Sequence, residues 1–371
     1  MISSNRLSPY TQLLDISDCI KSCFYSYSFA RFIISHPMTF SLALAFFVEK
    51  VFVSQVEIKP SSQSRESPLS RIETSSMKIE SIFVFPIKSC AAMKVSRWPI
   101  NRRTGRLAFD REFALVDSSG SAMRLHSYPQ MSQIRSRIDL VAKMLTVTAP
   151  RHDDLVLNLE HSNNMCDHTN TCRDIQVCGA LCKGDIWGGS EASQWFSSVL
   201  SIRCWLARHN ESFERNNLFT SGNQRDVEAY SNEAALLLVS QRSISILNSI
   251  ISAQGWGRLV ESRHFRPNIV VKNKNPKEGV LIEDENPEDS WENIAITTKN
   301  TELELVAVGK CARCQMVDVD PSSGMKGNTL RALAQYRRKR GKIYFGTFFT
   351  GVEYNGDDVV WLENGDTIVP K

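Results

Sequence analysis

Lys78-Ile79-Glu80-Ser81-Ile82-Phe83-Val84-Phe85 runs directly into Pro86. The alternation of apolar and polar residues predicts a strand, and Pro86, with no N–H to continue a ladder, stops it. Shorter runs of the same kind follow. Arg111 to Asp117 predicts a second strand, closed by the turn Ser118-Ser119-Gly120. Met144–Thr148 and Leu155–Leu159 predict a hairpin, and Trp195, Phe196 and Val199 predict a helix over Gln194 to Leu200. In the second half, apolar spacing predicts a helix over Glu233 to Ile251, a strand over Phe265 to Val271 and an acidic loop over Asn275 to Asp289. Strands are expected at Leu303–Val308 and Val317–Val319, on either side of Cys311-Ala312-Arg313-Cys314. A short helix over Thr329–Arg337 and closing strands at Tyr344–Val352 and Val359–Leu362 complete the pattern. Short strands at regular spacing with few helices predict a mainly β (α+β) chain built from β-barrels.

With 371 residues the chain is long enough for two domains, and 42% hydrophobic with 23% charged residues is an ordinary globular balance. That excludes collagen, low-complexity disorder and a multi-span membrane protein. A net charge of +4 is too mild to imply nucleic-acid binding. The one dense basic run, Tyr336 to Lys342, lacks an aromatic platform and is read as a solvated turn, so no nucleic-acid partner is expected. Residues 1–76 differ in composition, and Ser61 to Pro68 reads as a linker. Phe32 to Val48 is uncharged and largely apolar but falls short of the roughly 20 residues that span a bilayer. It reads as a membrane anchor, a buried helix or a segment outside the folded protein. The scarcity of acids and the several Ser suggest a transit peptide; Asp15, Asp18 and the low Arg count speak against it. The first apolar run starts too far from Met1 for a cleavable secretory signal, so the ten cysteines are read as mostly reduced, intracellular thiols.

Three segments carry candidate chemistry. In Cys311-Ala312-Arg313-Cys314 a thiolate is a soft ligand for molybdenum, zinc or copper, with Lys310 and Arg313 as cations that lower thiol pKa values. A thioredoxin-like redox pair and two structural thiols are the other readings. Pro86-Ile87-Lys88-Ser89-Cys90 at a strand end offers an anion site. Asp110-Arg111-Glu112 alone reads as a surface ion pair, and Arg266-Pro267-Asn268 places another cation and an amide before a strand. Cys166, Cys172, Cys178 and Cys182 near His152, His161 and His168 suggest zinc, but not at zinc-site spacing. One soft ligand, three cations and two amide or hydroxyl groups are what a phosphorylated, metal-bearing small molecule requires.

Taken in order, Phe85 to Cys90, Asp110-Arg111-Glu112, Phe265-Arg266-Pro267-Asn268, Glu288-Asp289-Ser290-Trp291 and Cys311-Ala312-Arg313-Cys314-Gln315-Met316 resemble the MOSC family. More narrowly, the chain from about Met77 onward is similar to the C-terminal half of eukaryotic molybdenum cofactor sulfurases. The resemblance implies an unassigned segment and linker (1–76), a MOSC N-terminal β-barrel domain (77–210) and a MOSC β-barrel domain with short helices (211–371). It implies binding of the molybdenum cofactor, a molybdopterin. In the related mitochondrial amidoxime-reducing proteins the Cys matching Cys314 ligates molybdenum, which makes Cys314 the implied metal ligand and catalytic residue. Positions matching Lys88, Ser89, Arg111, Arg266, Asn268 and Arg313 contact the cofactor there. Those reducers have a Thr-Ser pair where this chain has Glu233-Ala234, and an aromatic hydroxyl where it has Phe348, so the sulfurases are the nearer likeness.

The function implied is sulfuration of the cofactor for xanthine dehydrogenase and aldehyde oxidase-type molybdenum hydroxylases. A complete sulfurase also carries a large pyridoxal-phosphate domain, which 76 residues cannot build; pyridoxal phosphate is expected only if a further N-terminal domain exists. Sulfur would otherwise come from a separate cysteine desulfurase. The alternatives are a molybdenum-dependent reductase of N-hydroxylated compounds, fed by an electron-transfer partner, and a non-catalytic cofactor carrier. A cytoplasmic location is expected, with a mitochondrial or membrane-anchored one (through 32–53) as the alternative.

Overall fold

The first alternating run is a strand, β1 (Met77–Val84), and its second half is buried on both faces. It belongs to a computed structural model that describes residues 76–102, 104–160, 172–209, 230–231, 234–273, 286–352 and 359–371. After β1 come β2 (Met93–Val95), β3 (Arg97–Asn101) and β4 (Phe113–Asp117). Then β5 (Arg135–Asp139), β6 (Met144–Thr148) and β7 (Leu155–Asn158) form a three-stranded sheet, including the expected hairpin. Its strict alternation turns Ile138, Leu145, Val147, Leu155 and Leu157 to the core. β8 (Cys172–Val177), β9 (Ala180–Ile186) and β10 (Cys204–His209) join β4 in a four-stranded sheet, order β4-β10-β9-β8. The helix α1 (Gly189–Leu200), which precedes β10, extends the predicted one at its start.

The second half holds β11 (Leu236–Ser240), α2 (Gln241–Ala253), β12 (Ile269–Asn273), β13 (Asn293–Thr297) and β14 (Glu302–Ala312). α3 (Thr329–Arg337), β15 (Arg338–Lys339), β16 (Lys342–Gly351), β17 (Val359–Glu363) and β18 (Thr367–Pro370) follow. Seven strands close into a barrel in the order β11-β12-β1-β18-β13-β14-β16, with β16 pairing back onto β11. Only β11–β12 is parallel. The first strand is thus a stave of the barrel otherwise formed by the second half, between β12 and β18. β17 likewise pairs with β3. The boundary expected after residue 210 falls among 210–229, outside the described residues. One hydrophobic cluster runs continuously from Ile82 and Phe113 through Leu157 to Leu305 and Ile368.

Three expectations are corrected. The predicted helix over Glu233–Ile251 is strand β11 followed by α2. All five residues of β11 are buried, because Leu236 and Leu238 join the main cluster while Val239 packs with α2 residues in a second one. A strand covered on both faces shows no alternation and merges in sequence with an adjacent apolar helix. Ser240 marks the switch, its Oγ accepting from the Ser243 N–H as the N-cap. The strand expected at Val317–Val319 is a 3-10 turn over Gln315–Asp318, and β14 instead runs on into Ala312. β12 begins only at Ile269, since Ser262–Phe265 form a 3-10 turn and Arg266 is left-handed (φ 53).

Barrel closure depends on Gly346 in β16, at φ 78. A Cβ there would lie 2.7 Å from Val239 Cγ2 and 2.8 Å from the Leu238 carbonyl oxygen on the facing strand. Among the described residues no helix is long and apolar enough to cross a membrane; the segments 1–75 and 274–285 lie outside them.

Candidate functional site

The ends of three barrel strands and one connection converge on a cavity of about 480 Å³. β1 runs out into Phe85-Pro86-Ile87-Lys88-Ser89, and Pro86 frees that segment from the barrel. It is laced instead to the start of β4: Arg111 N–H donates to the Phe85 carbonyl (2.8 Å), Phe113 N–H to Pro86 (3.0 Å) and Lys88 N–H to Phe113 (2.7 Å). β12 is entered through Arg266 and Asn268. β14 is left through Cys311-Ala312-Arg313-Cys314.

Asn268 is the stitch. Its oxygen accepts from Leu237 N–H (3.1 Å) and Arg111 Nη1 (3.1 Å), and its amide nitrogen donates to the Phe83 carbonyl (3.3 Å). One buried amide therefore ties together the approaches of β1, β11 and β12 and the Arg111 side chain.

All seven residues proposed from the sequence, Lys88, Ser89, Arg111, Arg266, Asn268, Arg313 and Cys314, line this one cavity. The site is built of unusual backbone. Ser89 (φ 70), Arg111 (φ 51) and Arg266 (φ 53) are all left-handed, each costing about 1–2 kcal/mol for a residue with a Cβ. In each case the turn delivers a polar side chain to the cavity wall. The Lys88 ammonium donates to the Tyr230 carbonyl (3.0 Å) and Ser89 Oγ to the Met123 carbonyl (3.0 Å).

The Asp-Arg-Glu triplet is not a surface ion pair, as its sequence alone suggested. Asp110 is fully buried, accepts from the Phe85 N–H (2.9 Å) and pairs with Arg111. Glu112, also buried, pairs with Arg208 at 2.6 Å, away from Arg111. The Arg111 and Arg266 guanidiniums both lie against the Phe85 ring, 4.4 and 4.2 Å from its centroid. Arg266 donates to the Cys90 carbonyl (2.6 Å). Burial, and after it the Arg111 charge, push Arg266 down to about 9, so it remains cationic at neutral pH. Arg313 is held by the Phe345 and Phe265 carbonyls at 2.8 Å each.

Five Lys or Arg side chains and no Asp or Glu are among the described residues lining the cavity. Asp110 behind Arg111 offsets one of them. The surplus positive charge, partly desolvated and already oriented, selects an anion. Lys310 does not contribute to it as expected, because its ammonium pairs with Asp289 at 3.1 Å. Cys314 is exposed, whereas Cys311 is buried.

Arg124, His126, Ser127, Cys178 and Ser231 also line the cavity. No spacing in the sequence singles out the first three, which a connection after β4 carries in. Cys178 stood in the sequence only as part of a zinc pattern, whose described members form no metal-holding group. Cys182 is buried in an apolar cluster against which Cys178 also packs, and His152 packs near Ser198 and Trp195. Cys166, His161 and His168 lie outside the described residues. Among the described residues no group of three His, Cys, Asp or Glu could hold a metal ion. A metal in this cavity would take a single thiolate from Cys314, its other ligands coming from the group that carries it.

His264 supports the Arg266 turn from behind. Its Nδ1 lies 3.2 Å from both the Glu261 N–H, from which a neutral ring accepts, and the Glu261 carbonyl, to which a ring N–H donates. Burial keeps its pKa below 6.5 and Arg263 lowers it further, against the opposing pull of Asp320 and Glu261. As pH falls through 6.5 the unfolded chain takes up this proton before the folded one does. Stability therefore decreases with acidification, by up to about 1.4 kcal/mol per pH unit for one proton. Urea titrations between pH 7 and 5 should show a shallower decline for His264→Asn than for the native protein; equal slopes would refute this.

The fold and the cavity define a closed-barrel β protein with an anion-selecting, thiol-bearing pocket at its strand ends. Residues 76–203 match the family described as the MOSC N-terminal beta barrel domain, and residues 225–369 match the MOSC domain. The chain belongs to the MOSC family. It is 30% identical over 357 residues to a molybdenum cofactor sulfurase of Oryza sativa subsp. japonica, covering 88% of this chain and 40% of that protein. The corresponding protein of Solanum lycopersicum is 32% identical, with 90% of this chain and 41% of that one covered. That of Aspergillus niger is 32% identical, with 84% and 42% covered. The chain thus spans about 40% of the length of the relatives it matches. The rice and tomato alignments cover more of it than Met77–Lys371 alone supplies, so the likeness reaches upstream of Met77, further than the motifs alone indicated.

Proposed function

We propose that this chain binds the molybdenum cofactor and presents it for sulfuration, as the cofactor-binding portion of a sulfurase-type system. The observation that carries this reading is the convergence, in one cavity, of a surplus of partly buried cations with the open thiol of Cys314. The residues present fit the cofactor: 480 Å³ is within the usual range of small-molecule sites. The oriented guanidiniums suit a phosphate, and one thiolate suits a metal already chelated elsewhere.

Arg111, Arg266 and Lys88 hold the anionic end, and Cys314 supplies the protein's ligand. Phe265, Leu237, Met316 and Phe348 form the apolar wall that limits water. When bound, the cofactor supplies a metal centre able to accept sulfur. The sulfur would come from a pyridoxal-phosphate desulfurase, either a domain or a separate protein. The recipients of the modified cofactor would be molybdenum hydroxylases of the xanthine dehydrogenase and aldehyde oxidase type. Ala234 and Phe348 both face the cavity, and their lack of hydroxyls favours this reading over reduction of N-hydroxylated compounds.

Protein purified from a cofactor-producing host should contain molybdenum and pterin in near-equal amounts. Cys314→Ser should lose about tenfold or more of the molybdenum, because a hydroxyl is a poor substitute for a thiolate on a soft site. Absence of both metal and pterin from the native protein would overturn the proposal.

A further inference from the structure

The basic run Arg338-Lys339-Arg340-Gly341-Lys342 is an exposed turn, as its sequence suggested, and the barrel sets it beside the cavity. β15 and the start of β16 form a hairpin in which Arg338 pairs with Ile343 and Lys339 with Lys342. Arg340 and Gly341 alone make the turn, both at positive φ (50 and 79), the type I′ geometry that matches the twist of its strands. The hairpin grows from the barrel end that carries the site. Ala312 pairs with Tyr344, and the Arg313 N–H donates to the Ile343 carbonyl at 2.7 Å. Cys314 is the next residue along one chain and Lys342 the next along the other, so the root of the hairpin stands beside the exposed thiol. Arg338, Lys339, Arg340 and Lys342 are all exposed, and none has an ion-pair partner among the described residues. Asp289, the acid that holds neighbouring Arg337 at 2.8 Å, is already shared with Lys310 at 3.1 Å. None of the four lines the cavity. Charge on an edge strand deters pairing with other sheets, which accounts for Arg338 and Lys339 on β15. It does not account for Arg340 at the tip or Lys342 on the inner strand.

We propose that this hairpin steers small, multiply charged anions into the cavity, its unpaired cations drawing a phosphate ester toward the mouth at Cys314. The inference rests on the proposed function and deepens it, because it assigns capture of the ligand to residues that never touch it once bound. Cations inside the cavity are partly desolvated and act at contact; exposed cations outside it act through solvent over a longer range. Their field reaches about 30 Å at 0.01 M ionic strength and only about 10 Å at 0.1 M. Charges of one sign clustered at the mouth of a cleft raise the arrival rate of an oppositely charged ligand, with an effect that salt removes. The hairpin therefore contributes to association and not to retention, which Arg111, Arg266 and Lys88 provide.

The test reads arrival at Cys314 directly, in the full chain prepared from a host that makes no molybdenum cofactor. The thiol is titrated with a dianionic disulfide, dithiobis(nitrobenzoate), and with a neutral one, dipyridyl disulfide, counting only the phase absent from Cys314→Ser. The ratio of the two rates cancels any change in the reactivity of the thiol itself. The variant combines Arg338→Gln, Lys339→Gln, Arg340→Asn and Lys342→Gln; Asn suits the left-handed turn, so the hairpin is preserved. At about 0.01 M ionic strength its anionic-to-neutral ratio should be at least about fivefold below that of the native protein, and the two should converge near about 0.5 M. Equal ratios at low salt would overturn the proposal and leave edge protection or docking of an acidic protein as the role of the run. A difference that persists at high salt would also overturn it, since a contact and not a field would then be at work. Molybdenum and pterin content of protein from a cofactor-producing host tests the cofactor reading separately, because the rate ratio needs no bound cofactor.

Discussion

Asp110→Ala is expected to lower stability by about 3–5 kcal/mol in urea denaturation, the usual cost of removing one partner of a buried ion pair. The carboxylate is fully buried, pairs with Arg111 and accepts the Phe85 N–H. Without it, the Arg111 and Arg266 guanidiniums, both against the Phe85 ring, have no compensating carboxylate from Asp110, and the strand-exit amide loses its acceptor. Asp110→Asn keeps an acceptor for that amide but not the charge, so an intermediate loss is expected. Inorganic phosphate should stabilise Asp110→Ala more than the native protein, since an anion bound to N but not U shifts the equilibrium and here also replaces missing charge. A loss below about 1 kcal/mol would show that Asp110 does not hold the two cations together.

Arg266→Gln should weaken cofactor binding by roughly 10- to 100-fold. A hydrogen bond to a charged group is worth about 1.5–3 kcal/mol, and 1.4 kcal/mol is tenfold in affinity. Gln retains a donor for the Cys90 carbonyl that Arg266 now serves at 2.6 Å, which separates loss of charge from loss of the turn. Equilibrium binding at fixed ionic strength, with a melting curve as the folding control, decides it. An unchanged affinity would place the anion elsewhere in the cavity.

The two substitutions act on residues with very different visibility in the sequence. Arg266 was a site candidate from its motif. Asp110 next to Arg111 looked like a solvated pair, because neighbouring opposite charges on a strand are usually exposed. Its buried carboxylate accepts the Phe85 N–H, which no local pattern places against it. Similarly, Cys178 and Arg124 lie more than fifty residues apart, yet both line the one cavity, beyond the Ser121–Gln176 bridge. Lys310 shows the opposite error, since its adjacency to Cys311 suggested a partner for the thiol while Asp289 takes the charge.

The amino-acid sequence by itself determined that the chain is mainly β, where most strands lie, and which seven side chains carry the candidate chemistry. These depend on local alternation, on turn residues such as Pro86 and on short motifs, all written within a few positions of each other. Only the tertiary structure decided that β1 is a stave of the second half's barrel and that β11 is a strand rather than part of α2. It also decided that the seven side chains, with Cys178, share one cavity. Strand order is set by burial over long separations, and a strand covered on both faces has no period to read. A site at strand ends exists only once the barrel has closed.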